Sequence, residues 1–121
     1  KGPDFRSIHK YIMPVALPKY DGRPIVVSEY GGYSHKIEGH VWNWDKSFGY
    51  QMYADKDKLT EAYKKLHEKQ IIPNIKNGLS ATVYTQVSDV EFEVNGMLSY
   101  DRELVKLHED VVKELNAKMT Y

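Results

Sequence analysis

Cysteine is absent from this 121-residue sequence, which excludes disulfides, zinc–thiolate sites and cysteine nucleophiles together. A chain without cysteine is compatible with a reducing compartment, and we expect a cytoplasmic location. Long apolar runs are also missing, since none approaches the roughly 18 residues that a membrane-spanning helix needs. Residues 1–4 lack the apolar segment of a signal peptide. We therefore expect no membrane partner.

An excess of charge of one sign is missing too, because 17 basic residues balance 17 acidic ones. A chain without net charge produces no field that attracts a nucleic-acid backbone, so we expect no nucleic-acid partner. Aromatic residues, in contrast, are plentiful, with ten Tyr, three Phe and two Trp in a chain of 41% apolar content. This composition predicts a globular domain with aromatic side chains that are partly exposed to solvent.

The most informative stretch of the sequence is Pro24–Tyr33, which reads PIVVSEYGGY. Its apolar run, bounded by Pro and Gly, predicts a strand that is buried on both faces of a parallel sheet. Glu29 then lies at the C-terminal end of this strand, where α/β proteins bind ligands and place catalytic side chains. The alternative is a structural carboxylate that caps a turn or pairs with a lysine.

Residues 1–23 are rich in proline and predict a connector that is mostly loop, with Ile8–Met13 as a short extended piece. His9 and Tyr11 alternate within this piece and share one face if it is a strand. His9 is therefore a candidate ligand-binding residue, with a packed histidine in an irregular segment as the alternative.

The segment Gly31–Asp55 is too long and too aromatic for a plain connector. An aromatic loop at the C-terminal edge of a parallel sheet suits a carbohydrate site, because the apolar face of a sugar ring packs on aromatic rings. Trp42 and Trp44 are the candidates, and the alternative is that they cover a core.

His35, Glu38 and His40 lie in the same segment, but their spacing differs from that of a helical zinc site. Nothing nearby in the sequence completes a ligand set. We therefore expect neither a metal nor another cofactor.

Two helices and a second strand follow. Helical periodicity predicts a helix from Asp57, its N-cap, to about Gln70, ended by Pro73, with His67 on the surface. Leu79–Tyr84 predicts a strand of small and β-favouring residues. A closing helix is predicted over Asp101–Ala117, with Asp101 as N-cap.

A polar cluster follows the second strand and includes Gln86 and Asp89. Asp89, Glu91 and Glu93 alternate, so an extended backbone would direct all three carboxylates to one side. Three carboxylates on one side repel one another, so this arrangement is useful only with a partner, whether a cation, an arginine or a ligand rich in hydroxyls. A solvated acidic loop is the alternative.

The order of elements predicts two βα units with parallel strands. Two strands cannot form a covered sheet, and a parallel barrel needs about 250 residues. We therefore predict an α/β fold class in which the chain is the C-terminal fragment of a (β/α)8 TIM barrel. The start at Lys1-Gly2-Pro3 agrees with a truncated or proteolysed chain. Copies of the chain that supply the missing strands to one another are the alternative.

The two stretches Pro24–Tyr33 and Gly78–Arg102 together resemble the end of the catalytic barrel of family 2 glycoside hydrolases. This family includes β-galactosidases, β-glucuronidases and β-mannosidases, and the resemblance covers about residues 5–117. It implies that residues 1–23 are a connector, 24–72 are strand 7, a long loop and helix 7, and 78–119 are strand 8, a loop and helix 8.

The resemblance implies that Glu29 is the nucleophile of a retaining β-glycosidase, a hydrolase of carbohydrate metabolism. The acid/base follows an Asn on the fourth strand of the family's barrel, and no Asn–Glu pair occurs in this chain. The chain alone is therefore expected to be inactive. The expected residues near the sugar are His9, Trp42, Trp44, Tyr84, Gln86 and Asp89.

The chain departs from the family where Tyr84-Thr85-Gln86 ends the last strand, since galactosidases present a tryptophan there. This departure leaves the identity of the sugar open. A non-catalytic carbohydrate-binding or interaction fragment is the alternative from another functional class, and a structural oligomer of incomplete units is a third.

Overall fold

The computed structural model describes residues 2–120. Five strands form in this part of the chain: β1 (Arg6–Tyr11), β2 (Ile25–Gly31), β3 (Tyr33–Ser34), β4 (Gln51–Met52) and β5 (Leu79–Thr85). The main sheet contains three of them, in the order β1-β2-β5, and both pairings are parallel. Strands β3 and β4 form a separate parallel pair. The fold is a small mixed α/β unit with parallel strands, and the predicted strands after Pro24 and at Leu79 are confirmed.

Part of the segment 1–23, which was predicted to be mostly loop, forms strand β1 of the main sheet. It begins beside β2, with Arg6 opposite Ile25, and ends with Tyr11 opposite Gly31. The prediction placed the extended piece slightly later, at Ile8–Met13, whereas Ile12 has a positive φ of 57° and ends the strand. The main sheet therefore has one strand more than the two that the apolar runs indicated.

Helices cover one face of the main sheet. Ile25 and Val27 of β2 are buried, whereas Val26 and Ser28, which alternate with them, are only half-buried. The prediction that this strand is buried on both faces is thus met on one face within residues 2–120. The helical segments are α1 (Lys56–Leu66), a π-helical turn (His67–Ile71), α2 (Ile72–Ile75) and α3 (Glu109–Ala117).

The helix after the long loop differs from its prediction at both ends. Asp55, with extended φ and ψ of −149° and 170°, is its N-cap, and the Lys58 amide donates to Asp55 Oδ1 over 2.7 Å. The prediction of Asp57 as N-cap is therefore wrong by two residues. Pro73 does not end the helical path, because it lies near the start of α2, which continues to Ile75.

His67 is buried, which contradicts the prediction of a surface position. Its Nδ1 lies 2.8 Å from the Tyr63 carbonyl oxygen, and its Nε2 lies 2.8 Å from the Tyr30 hydroxyl. A buried imidazole needs partners on both nitrogens, and this pair of bonds supplies them. Residue 67 follows the buried Tyr63 by four positions, so helical spacing itself places it on the buried face.

The closing helix begins eight residues later than predicted, at Glu109 rather than Asp101. Asp101 instead stabilises a turn, because its Oδ1 accepts hydrogen bonds from Ser99 Oγ at 2.5 Å and from the Glu103 amide at 3.1 Å. Arg102 follows with a positive φ of 63°, which a helix does not accommodate. The N-cap position of α3 belongs to His108.

Two apolar clusters lie between the main sheet and the helices. One joins the sheet to the end of the helical path and contains Val15, Val27, Tyr30, Leu66, Ile71 and Leu79. The other joins α1 to α3 and contains Leu59, Tyr63, Leu107 and Leu115. None of the helices described here has both the length and the apolar character needed to cross a bilayer.

Candidate active site

Two side chains of β1 reach the carboxylate of Glu29 on β2, and a residue of β5 joins the group through Tyr11. Tyr11 Oη, on β1, lies 2.6 Å from Glu29 Oε2, and His9 Nδ1 lies 3.4 Å from the same oxygen. Thr85, at the end of β5, places its Oγ1 3.1 Å from Tyr11 Oη. The C-terminal ends of parallel strands meet at one edge of a sheet, so this group occupies the edge where α/β proteins bind ligands.

An irregularity between β1 and β2 directs these side chains. The register shifts between Ile8 and His9, so that His9 lies opposite Glu29. Ser28, which the shift leaves unpaired in the ladder, places its Oγ 2.5 Å from Ser7 Oγ and donates to the Ile8 carbonyl oxygen. Bulges of this kind commonly re-aim side chains beside functional sites. The prediction that His9 and Tyr11 share a face is confirmed, since both reach the same carboxylate oxygen.

The carboxylate is accessible and only partly engaged. The Glu29 side chain is 45% exposed, and within residues 2–120 its hydrogen bond and ion pair both fall on Oε2. Burial, followed by the hydrogen bond to Glu29, raises the pKa of Tyr11 to about 12. The phenol therefore keeps its proton at neutral pH and donates a hydrogen bond to the carboxylate. Oε1 accepts no hydrogen bond from the described residues.

Aromatic rings extend from Tyr11 toward the loop after β3. The Tyr11 and Tyr50 rings stack with their centroids 4.1 Å apart and their planes 8° from parallel. Phe48 meets Tyr50 edge-on at 5.3 Å. Gly32 permits this arrangement, because its φ is +68° and a Cβ there would lie 2.5 Å from Tyr50 Cδ2. We call Tyr11, Tyr50 and Phe48 the aromatic row.

The predicted sugar-binding tryptophans lie on the surface of the long loop. Trp42 is 52% exposed and Trp44 is 48% exposed. The Trp42 ring packs against Tyr100 at 5.2 Å, and Lys36 Nζ lies 4.3 Å from the centre of the Trp44 ring. Neither contact involves Glu29 or the aromatic row. The structure thus leaves both rings available to a ligand without joining them to the carboxylate.

Tyr84 belongs to the core, so the prediction that it contacts a sugar does not agree with its position. Its ring packs edge-on against Tyr30 at 5.4 Å and against Tyr63 at 5.0 Å, between the sheet and α1. Burial raises the pKa of the Tyr84 phenol well above its ordinary value. The side chain points toward the helices, whereas Thr85, the next residue, points toward Tyr11.

Asp89 is also an internal residue, which contradicts its predicted contact with a sugar. It is 4% exposed, and Lys106 Nζ lies 2.7 Å from its Oδ1. Lys106 additionally donates to the carbonyl oxygens of His35 at 2.8 Å and Val94 at 2.9 Å. Burial raises the pKa of Asp89 and lowers that of Lys106. Through its hydrogen bond to His35, Lys106 joins the loop after β3 to the segment after β5.

Gln86 lies at the start of the same loop, directly after β5. Its amide N–H donates to the Asn95 carbonyl oxygen at 3.1 Å, and its own carbonyl oxygen accepts from the Met97 amide at 2.9 Å. Its side-chain Nε2 is buried and, among the described residues, has no hydrogen-bond partner. Gln86 therefore has a donor without a partner in the described part of the chain, and this donor forms no hydrogen bond with Glu29.

The three alternating acidic residues do not face one way. Asp89 is buried, whereas Glu91 and Glu93 are exposed. Glu91 has a positive φ of 49°, and backbone hydrogen bonds join Val90 and Glu93 in both directions, at 3.0 and 2.9 Å. The segment is therefore a tight turn rather than an extended strand, and the predicted shared acidic face is wrong.

A group of possible metal ligands lies elsewhere, at His40, Asp101 and Glu103, whose nearest ligand atoms are within 4.8 Å of one another. His40 Nδ1 lies 2.6 Å from Asp101 Oδ2. Hydrogen bonds from Ser99 and Glu103 and then the contact with His40 lower the pKa of Asp101 to about 2. Both Asp101 oxygens are thus engaged by protein groups, and the arrangement is explained as a hydrogen-bonded turn.

Sequence reasoning missed the partners that orient Glu29 and the residue that joins the loops. Tyr11 was noted only for sharing a face with His9, and Thr85 only as part of a polar run. Lys106 follows an apolar residue in a segment that was predicted as helix, so no pattern in the sequence indicated a buried ammonium. Only the alternation of His9 and Tyr11 carried a usable signal.

Comparison of the sequence with protein-family models and with curated proteins yields no match.

Proposed function

We propose that this chain is the C-terminal part of the catalytic (β/α)8 barrel of a retaining β-glycosidase similar to family 2 glycoside hydrolases, with Glu29 as the nucleophile. The observation that carries the proposal is an accessible carboxylate at the C-terminal edge of a parallel sheet, which β1 contacts directly and β5 reaches through Tyr11. Tyr11 orients Glu29 Oε2 at 2.6 Å, and Oε1 remains open. A nucleophilic carboxylate needs both accessibility and a fixed direction of attack.

The strand order supports the proposed position in a barrel. Consecutive parallel strands that lie side by side, as β1, β2 and β5 do, are the arrangement of successive barrel strands. In the proposal β1, β2 and β5 are strands 6, 7 and 8. The other face of the sheet, with the exposed Ser7 and the half-buried Val26 and Ser28, would then face the barrel interior.

The chemistry follows from this assignment. The Glu29 carboxylate attacks the anomeric carbon, the bond to the leaving oxygen breaks, and a carboxylic acid protonates that oxygen. Water then hydrolyses the glycosyl ester, with the same acid now acting as base. That second carboxyl group must lie about 5 to 5.5 Å from Glu29. The Asn–Glu pair that supplies it in the family is not in this sequence, so the proposal assigns it to strands outside the chain.

The substrate class in the proposal is a β-galactoside or a related β-glycoside, in a cytoplasmic enzyme. The test incubates the complete protein with 2-deoxy-2-fluoroglycosyl fluorides of the galacto, gluco and manno series. The expected result is a covalent sugar on the peptide that contains Glu29, identified by mass spectrometry. Glu29→Gln should abolish labelling, and Glu38→Gln, which removes an exposed carboxylate from the long loop, should leave it unchanged.

A second candidate function is non-catalytic carbohydrate binding, favoured by the exposed rings of Trp42 and Trp44. Saturable sugar binding without any label on Glu29 would support this function and would refute the glycosidase. If Trp42→Ala and Trp44→Ala abolish binding while Glu29→Gln does not, the tryptophans rather than the carboxylate are the site. A homo-oligomer of incomplete units remains a third arrangement, and a folded monomer in light scattering would contradict it.

A further inference from the structure

An open cleft lies beyond the aromatic row. It is a cleft of about 310 Å³ lined by Asp45, Lys46, Ser47, Phe48 and Phe92. This volume is at the lower end of the range of small-molecule sites, about 300 to 1,000 Å³. Phe48 belongs both to the aromatic row and to the wall of the cleft. Three successive contacts therefore connect the wall of the cleft to the carboxylate: Phe48 with Tyr50, Tyr50 with Tyr11, and Tyr11 with Glu29.

The two walls of the cleft are held together by backbone hydrogen bonds. The Phe48 amide donates to the Phe92 carbonyl oxygen at 2.7 Å, and the Val94 amide donates to the Phe48 carbonyl oxygen at 2.9 Å. One wall comes from the loop that follows β3 and the other from the loop that follows β5. The cleft is therefore built from two loops that follow strands of the fold and that backbone hydrogen bonds hold together.

Close packing behind Phe48 fixes its position. Gly49 lies so near Ser34 that a Cβ at residue 49 would fall 1.6 Å from Ser34 Oγ. Ser34 is buried, and its Oγ donates to the Gly32 carbonyl oxygen at 3.1 Å. The backbone between Phe48 and Tyr50 is thus pressed against the interior. This packing turns both rings outward.

The walls of the cleft combine apolar rings with polar groups. Phe48 is 50% exposed and Phe92 is 44% exposed, although both are large apolar side chains. The amides of Asp45 and Lys46 donate to Asn43 Oδ1, so their backbone is fixed. Their charged groups form no ion pair within residues 2–120 and remain free to accept or donate hydrogen bonds.

We propose that this cleft is a distal carbohydrate subsite, which binds a second pyranose ring of the substrate beyond the sugar at Glu29. A pyranose presents an apolar C–H face, which suits the rings of Phe48 and Phe92. Its hydroxyls require polar partners at the edge, which Asp45, Lys46 and Ser47 supply. The inference rests on the proposed glycosidase function and narrows its substrate class from β-glycosides in general to β-linked oligosaccharides.

The experiment compares substrates of different length with the complete protein. For the sugar that is hydrolysed fastest, kcat/KM is measured for the p-nitrophenyl monoglycoside and for the β-linked trisaccharide. Phe92→Ala should lower kcat/KM for the trisaccharide about tenfold or more, because it removes a large apolar contact. It should change the value for the monoglycoside less than about twofold.

The matched control is Phe5→Ala, because Phe5 is 48% exposed but precedes β1 at the opposite edge of the sheet. It should leave both substrates unchanged. The proposal is overturned if Phe92→Ala affects both substrates equally or neither. It is also overturned if the variant weakens only glycosides with an aromatic leaving group, since the cleft would then bind an aryl group.

Failure of the glycosidase function itself is recognised separately, because then no glycoside is hydrolysed and Glu29 is not labelled. In that case binding is measured by calorimetry with galacto-, gluco- and manno-trisaccharides. Weaker trisaccharide binding by Phe92→Ala, with Phe5→Ala unchanged, still supports the cleft as a carbohydrate site. No trisaccharide binding, or binding that Phe92→Ala does not weaken, overturns it.

Discussion

The Tyr11 hydroxyl lies 2.6 Å from Glu29 Oε2 and joins the C-terminal ends of β1 and β2. The same hydroxyl is 3.1 Å from Thr85 Oγ1, so it also reaches the third strand of the sheet. One phenol thus fixes the carboxylate relative to all three parallel strands. The candidate nucleophile is oriented by the sheet itself rather than by a mobile loop.

Removal of this phenol should slow the reaction of Glu29. A hydrogen bond to a charged group contributes about 1.5 to 3 kcal/mol, so Tyr11→Phe should lower the rate of labelling by the fluoroglycosyl fluoride about tenfold to a hundredfold. The measurement is the time course of label on the complete protein. Tyr20→Phe is the control, because Tyr20 is 63% exposed and lies before β2. Equal rates for the two variants would show that Tyr11 does not position the carboxylate.

Loss of the buried ammonium should destabilise the fold strongly. Lys106→Met leaves Asp89 as an uncompensated charge in the interior, at an expected cost of about 3 to 5 kcal/mol in the free energy of unfolding. Urea denaturation measures this cost. Lys113→Met is the matched control, since Lys113 pairs with Glu109 over 3.7 Å on the surface and should cost less than about 1 kcal/mol. Similar midpoints for both variants would contradict the role of the internal pair.

Protonation of His67 should make the protein less stable in acid. Burial lowers the pKa of His67 below its ordinary value of about 6.5, so the unfolded chain gains a proton that the folded chain resists. The free energy of unfolding should therefore fall as the pH drops below about 6.5, by at most about 1.4 kcal/mol per pH unit for this group. Above about pH 6.5 His67 is neutral in both states and no longer makes the free energy of unfolding depend on pH.

The pH dependence of unfolding tests this origin. Urea unfolding is measured at about pH 7.5 and pH 5.5 for the natural protein and for His67→Gln, which should show a smaller difference between the two pH values. His9→Gln is the control, because the His9 side chain is 56% exposed. If His67→Gln retains the full difference, the acid sensitivity comes from other groups.

A side chain at residue 49 should disturb the segment that carries Phe48 and Tyr50. In Gly49→Ala the new Cβ would lie 1.6 Å from Ser34 Oγ and 2.4 Å from Ser34 Cβ. The expected cost of this overpacking is about 1 to 3 kcal/mol in the free energy of unfolding. Ser34→Gly in the same chain removes both atoms, and the nearest remaining atom is Ser34 Cα at 3.8 Å.

The double variant Ser34→Gly/Gly49→Ala should therefore be more stable than the sum of the two single substitutions predicts. A thermodynamic cycle of urea midpoints measures the coupling. Gly2→Ala is the control, because a Cβ there would meet only Arg23 Nη1, at 3.5 Å. Strict additivity in the cycle would show that the two residues do not contact each other.

The regular elements were predictable because their signals are local. Two strands were predicted from the apolar run Ile25–Val27 and from the small residues after Leu79. Helix α1 was predicted from the spacing of Leu59, Tyr63 and Leu66. The closing helix was overextended because Leu104 continues its apolar spacing, although the turn at Asp101 and Arg102 prevents a helix there. Local periodicity does not reveal such turns, which depend on hydrogen bonds from Ser99 and Glu103.

The candidate site was only partly predictable because its contacts join distant parts of the chain. Glu29 was identified by its place at the end of a strand. Tyr84 ends the next predicted strand and Asp89 follows it, so both were assigned to the sugar, but their side chains turn inward to Tyr63 and Lys106. Sequence places a residue at the end of a strand, whereas the direction of its side chain depends on packing against residues that are distant in the sequence.

The Lys106 ammonium binds oxygens of His35, Asp89 and Val94 at once. Because these acceptors come from two separate loops, neither loop has an independent conformation. An engineer who transplants one of them from another protein, to change which ligand is recognised, would leave the ammonium short of an acceptor. Successful chimeras should therefore exchange both loops and Lys106 together.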